Sequence, residues 1–234
     1  MADSSLFVPG ADEAYRDARN RLRAAEIDLR DRIEAVAAMR RELPPGPVMP
    51  EYTFIENGNR VRLRDLFEDD KPDLIVYHLM YWADDDEFCP MCSLWLDGLN
   101  GLVPHVTQRA NLVVASRAPF DKLRAWGNHR RWDRLRLLSD DGAQFARDID
   151  AEDAEGRPDS TVAVFRKDGD QVRHFYTAHP MLDDRERGID LLCPVWHLFD
   201  LTPSGRGDWY GDNAAFDAAV SKGRGPASGV AGPH

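Results

Sequence analysis

Leu74-Ile75-Val76-Tyr77-His78-Leu79-Met80 leads through a short loop into Cys89-Pro90-Met91-Cys92. Beyond the second cysteine, Trp95, Leu99, Leu102 and Val106 recur at helical spacing. The two thiols therefore stand between a buried strand and the first turn of a helix. One turn brings them within bonding reach, and C-x-x-C in that setting points to thiol–disulfide chemistry. A helix N-terminus favours a thiolate on the outer cysteine, so Cys89 reads as the nucleophile and Cys92 as the resolving thiol. The loop acids Asp84, Asp85, Asp86 and Glu87 oppose that thiolate by like-charge repulsion. Two other uses of the pair stay open. The thiols could be buried and structural, or half of a copper or zinc site that needs a further ligand such as His78.

Composition narrows the field. A formal charge of −11 on 234 residues argues against nucleic acid or an anionic membrane as partner. No apolar run approaches the roughly 20 residues of a membrane span. Met1-Ala2-Asp3-Ser4-Ser5 lacks the basic and apolar parts of a signal peptide. Three cysteines are too few for a secreted disulfide framework. These features predict a cytoplasmic protein with reduced thiols, and no cofactor is implied. Cys193, in an apolar helix, reads as a small core residue.

Residues 12–42 carry Tyr15, Ala18, Leu22, Ala25, Leu29, Ile33 and Val36 every three or four positions, which predicts one long helix with a narrow apolar stripe. Such a stripe packs on its own domain or on a second copy as a homodimer. Pro44-Pro45-Gly46-Pro47 ends it. Asn57-Gly58 marks a hairpin between the segments at 52–55 and 60–63. Apolar runs at 111–116 and 135–139 predict two further buried strands, with a helix at about 120–130 between them. Asp168-Gly169 marks a second hairpin. The expected division is a helical arm and connector at 1–50, one domain at 51–210 and a flexible tail at 211–234. Three buried strands separated by helices pair in parallel, and the last hairpin adds antiparallel strands. The predicted fold is α/β: a thioredoxin-like mixed sheet flanked by helices, with the first hairpin as a peroxiredoxin-type elaboration and a long N-terminal helix before it. Ligands bind such sheets at the carboxyl edge. That edge brings Arg117 and Asp140 towards the cysteines, Arg117 as a carboxylate or thiolate partner and Asp140 as a turn and helix-cap residue.

Several stretches together resemble a known group. They are Leu74-Ile75-Val76-Tyr77-His78, Cys89-Pro90-Met91-Cys92-Ser93-Leu94-Trp95 with Asp97-Gly98, Ser116-Arg117-Ala118-Pro119, Gly188-Ile189-Asp190-Leu191-Leu192, and Asp200-Leu201-Thr202-Pro203-Ser204-Gly205-Arg206. The chain resembles, over most of its length, the thioredoxin-like bacterial family of predicted dithiol–disulfide oxidoreductases catalogued as a domain of unknown function. The resemblance implies a thioredoxin-like fold and a redox role. For a dithiol at this place the expected partner is a protein or small-molecule disulfide or thiol. The chain departs from thioredoxins in having Ser160-Thr161-Val162 where they place a proline, and from peroxiredoxins in having Trp82 and four acids before the first cysteine. Trp82, Phe88, Trp95 and Arg117 are the candidate substrate-binding residues. A non-redox small-molecule-binding role for the same residues is the remaining alternative.

Overall fold

The computed structural model describes residues 9–140, 142–179, 181–182, 185–186, 194–205 and 207–223. The chain divides into two compact units, Met1–Pro44 and Pro45–His234. In the first, helix α1 spans Glu13–Arg41, and Asp12 caps it by accepting from the Tyr15 N–H at 2.8 Å. Tyr15, Leu22 and Leu29 of its stripe are exposed. No helix among the described residues is long and apolar enough to cross a membrane.

The second unit is built on a seven-stranded sheet of order β2-β1-β7-β6-β3-β8-β9. Its strands are β1 (Thr53–Glu56), β2 (Asn59–Arg62), β3 (Asp73–Leu79), β6 (Asn111–Ser116), β7 (Arg136–Ser139), β8 (Thr161–Asp168) and β9 (Gln171–Ala178). Two-residue strands β4 (Tyr81–Trp82) and β5 (Glu87–Phe88) form a separate small hairpin, and β10 (Met181–Leu182) pairs with β11 (Arg185–Glu186). The helices are α2 (Pro90–Val106), α3 (Phe120–Arg130), α4 (Gln144–Asp148), α5 (Pro194–Asp200) and α6 (Asn213–Gly223).

Strand β3 pairs in parallel with β6 and antiparallel with β8, and β6 pairs in parallel with β7. A dithiol helix that follows β3 through the β4–β5 hairpin, a parallel neighbour on one side of β3 and an antiparallel hairpin on the other make this the thioredoxin-like fold. The first hairpin turns at Asn57 and Gly58, both at positive φ, and extends the sheet beyond β7.

Alternation along β3 sorts the core into two layers. Tyr77 and Leu79 face α2, with Trp95 and Leu96. Leu74 and Val76 face the other way, with Phe54 and Phe145. Asp140, at the end of β7, accepts the Ala146 N–H of the first turn of α4 on its Oδ2 at 3.0 Å, while the N-cap position itself is Ala143.

The connector after Pro45 lies against β9. Met49 N–H donates to the Val172 carbonyl at 2.8 Å and His174 N–H to the Pro47 carbonyl at 3.0 Å. A Cβ on Gly46 would stand 2.1 Å from the His174 carbonyl oxygen. Neither backbone can give way without breaking these bonds, so Gly46→Ala is expected to destabilise the unit by about 1–3 kcal/mol, read as a lower urea midpoint at unchanged m-value.

Candidate functional site

The loop after β3 is a built structure. Asp86 adopts positive φ, which closes the β4–β5 hairpin. Its carboxylate accepts from the Tyr81 hydroxyl at 2.5 Å and pairs with Lys122, whose charge, with the Tyr81 bond, holds the carboxyl below its ordinary range. One of the four loop acids is therefore neutralised. Cys89 N–H donates to the Met80 carbonyl at 3.3 Å, which ties the end of the loop to the end of the strand.

Cys89 is the N-cap of α2, and Pro90 holds the first helical position, where a missing N–H costs nothing. The Cys89 Sγ accepts from the Cys92 N–H at 3.3 Å. Ser93 N–H donates to the Cys89 carbonyl at 3.0 Å. Both cysteines are in the thiol form, 6 % and 2 % exposed. Burial pushes the Cys92 thiol well above its ordinary range, and the neighbouring Cys89 adds to this; Tyr77 and the Met80 backbone pull weakly the other way. Cys92 is thus a protonated thiol in the reduced pair.

The pair is buried in the core layer with Tyr77, Phe88 and Trp95, and the C-terminal segment packs on its chain neighbours Phe88 and Met91. Gly211 N–H donates to Met91 Sδ at 3.1 Å, and the Asn213 side-chain amide donates to the Phe88 carbonyl at 3.2 Å. Phe216 stacks under the Arg130 guanidinium, 3.5 Å from its Cζ, and His129 meets Asp217 at 2.9 Å. Arg130 is itself fixed by Asp97 of the dithiol helix through bonds of 3.2 and 2.5 Å, and Trp132 Nε1–H donates to the same carboxylate at 2.9 Å. Beside this cover a cleft of about 720 Å³ opens between the β4–β5 hairpin, α3 and α6. Phe88 and Pro90, the residues on either side of Cys89, line it together with Lys122, Trp126 and Asn213. Phe88 and Trp126 stack at 5.4 Å, and Trp126 Nε1–H donates to Ser93 Oγ at 3.0 Å.

The residues singled out in the sequence separate into three places. Of the four substrate-binding candidates, Phe88 lines the cleft. Trp95 is a core residue against Tyr77, and Trp82 packs on the same layer. Arg117 does not turn to the thiols: its Nε–H donates to Glu152 at 3.0 Å and its Nη1–H to the Asp140 carbonyl at 2.5 Å. His78 follows Tyr77 on β3 and so projects from the opposite face of the sheet, which removes it from the Cys89–Cys92 pair as a metal ligand. Among the described residues no three of His, Cys, Asp and Glu are grouped as a metal needs. His78 and its cross-strand partner Thr161 are fully buried, and neither ring nitrogen nor the hydroxyl has a hydrogen bond of good geometry. Cys193, Gly188–Leu192 and Arg206 lie outside the described residues.

The sequence reading missed Lys122, Trp126 and α6. The stretch from 211, read as a tail, forms α6 on the described residues up to 223 and packs on the site. A signal was present: Asp212 precedes Asn213-Ala214-Ala215-Phe216, and its Oδ1 accepts from the Ala215 N–H at 2.6 Å as an N-cap does.

A sequence family described as "Bacterial protein of unknown function (DUF899)" matches residues 8–219. No curated protein matches the chain. Among solved structures, the peroxidoxin BcpB of Mycobacterium tuberculosis is similar at 18 % identity and TM-score 0.49, over 64 % of this chain and 94 % of its own. Reduced Prx3 of Vibrio vulnificus, in complex with H2O2, is similar at 18 % identity and TM-score 0.46, over 64 % and 97 %. An uncharacterised conserved protein of Geobacillus kaustophilus is similar at 18 % identity and TM-score 0.43, over 61 % and 71 %.

Proposed function

The chain belongs to the bacterial family of unknown function DUF899, and from that premise we propose that it is a thiol–disulfide oxidoreductase working through Cys89 and Cys92. The observation that carries this reading is the N-cap geometry: the Cys89 sulfur accepts the Cys92 N–H at 3.3 Å, at the end of a helix whose dipole favours a thiolate there. Cys89 attacks a disulfide sulfur of the substrate, and the leaving thiolate takes up a proton. Cys92 then loses its proton and attacks the Cys89 sulfur of the mixed disulfide, releasing the second thiol. Its burial makes this second step the slower one, since a thiol pushed up by burial is a poor nucleophile at neutral pH. The thiols are held reduced in a cytoplasmic setting.

Mild oxidation of the reduced protein is expected to remove two hydrogens, both mapping by mass spectrometry to the peptide that holds Cys89 and Cys92. Cys89→Ser should trap no mixed disulfide, whereas Cys92→Ser should accumulate one on Cys89. An oxidised product that pairs Cys193, or no disulfide at all, contradicts the assignment. A second reading has one observation behind it: the cleft is of a size that holds a small molecule without redox chemistry. Ligand binding unchanged by both Cys→Ser replacements is the result that favours it.

A further inference from the structure

The cover over the dithiol bears on the choice of substrate. This deepens the redox reading and rests on it. A protein disulfide reaches an outer cysteine only when the surface around it accepts a stretch of extended chain. Here the surface around Cys89 is occupied: Gly211 sits on Met91, and Asn213 takes the Phe88 carbonyl. A side chain on Gly211 would meet Met91 Sδ at 2.8 Å, so the cover lies close against the helix start. Beside it lies the cleft of about 720 Å³, which is in the range of small-molecule sites and is lined by Phe88 and Pro90, the two chain neighbours of Cys89, and not by Cys89 itself. Its lining includes the stacked Phe88 and Trp126, the acids Glu87, Asp212 and Asp217, the last of them against His129, and the Asp86–Lys122 pair. Asp86 and Lys122 cancel, so the lining is net negative, which disfavours an anionic ligand and favours a cationic or neutral one.

We infer that the Cys89–Cys92 couple acts on low-molecular-weight disulfides that are cationic or neutral, and not on protein disulfides. The reaction balances without another reagent. The two protein thiols lose two hydrogens and become one disulfide, and the substrate RS–SR takes up the same two electrons and two protons as two RSH.

The test uses the reduced full-length protein with cystamine, a small dication, dithiodiglycolate, a small dianion, and insulin, at equal disulfide concentration. Formation of the Cys89–Cys92 disulfide is followed by acid quench and mass spectrometry. Each rate is divided by that of 2-mercaptoethanol with the same disulfide, which removes intrinsic differences in reactivity. The normalised rate with cystamine is expected to exceed that with the dianion by on the order of tenfold or more, with insulin slower still. Phe216→Ala, which loosens α6, should raise the insulin rate and narrow its gap to cystamine. A wild-type protein that reduces insulin as fast as cystamine overturns the inference and leaves the redox reading standing; equal rates for dication and dianion overturn its charge selectivity. Diamide serves as an oxidant that needs no binding site. If diamide yields no Cys89–Cys92 disulfide, the redox reading itself fails and the inference falls with it. Should Phe216→Ala not fold, the three wild-type rates decide.

Discussion

Replacing Arg130 by methionine is expected to lower the unfolding free energy by about 3 kcal/mol, the lower end of the range for breaking a buried ion pair. The Arg130 side chain is 2 % exposed, whereas Asp97 is 26 % exposed, so water partly compensates the carboxylate left behind. After the replacement Asp97 retains the Trp132 indole as partner. The double variant Arg130→Met/Asp97→Leu should recover part of the loss, because it removes the stranded charge. Urea unfolding of the four proteins in this cycle measures it, and additive single effects would contradict the pairing. The same replacement removes the platform under Phe216 and the contact to Asn213. Alkylation of Cys89 in Arg130→Met should therefore run faster than in the wild type at urea concentrations where both are folded.

Acid should weaken the fold through His78. Burial, and then the positive charge of Arg117, push its pKa from 6.5 down to about 4, against a smaller opposing pull from the Asp159 backbone. An unfolded chain takes up a proton on this residue as pH falls through about 6.5, whereas the folded chain does so only near pH 4. Stability is therefore full above about pH 6.5, falls with pH through that window, and by pH 4 has lost about 3 kcal/mol on this account. Asp140 and Asp159 act with the opposite sign, since burial raises both carboxyls and the folded state then holds protons more tightly than the unfolded one. Comparing wild type with His78→Leu cancels those terms. The urea midpoint of the variant should be less sensitive to pH between 6.5 and 4, and parallel pH profiles would contradict the role given to His78.

The skeleton of the fold was legible because it rests on local signals. The buried strands at Asp73–Leu79 and Asn111–Ser116 are short apolar runs, and the Asn57-Gly58 turn and the Pro90 helix start need only adjacent residues. The place of His78 was legible in principle, because strand alternation sends it away from Tyr77, whose ring meets Trp95. Arg117 was not. Its partner Glu152 lies 35 positions on, across a loop whose path no periodicity records. The role of α6 was obscured for a different reason: the helix stands next to a Gly/Pro/Ser-rich end, and its composition merges with that stretch.

The contact between Met91 and Gly211 spans 120 positions of chain. At about 5–20 residues per second of synthesis, the dithiol helix leaves the ribosome roughly 6–24 seconds before the segment that covers it. During that interval the growing polypeptide carries an uncovered Cys-Pro-Met-Cys. The first oxidant or thiol the pair meets is then set by what surrounds the translating ribosome, before α6 can exclude anything.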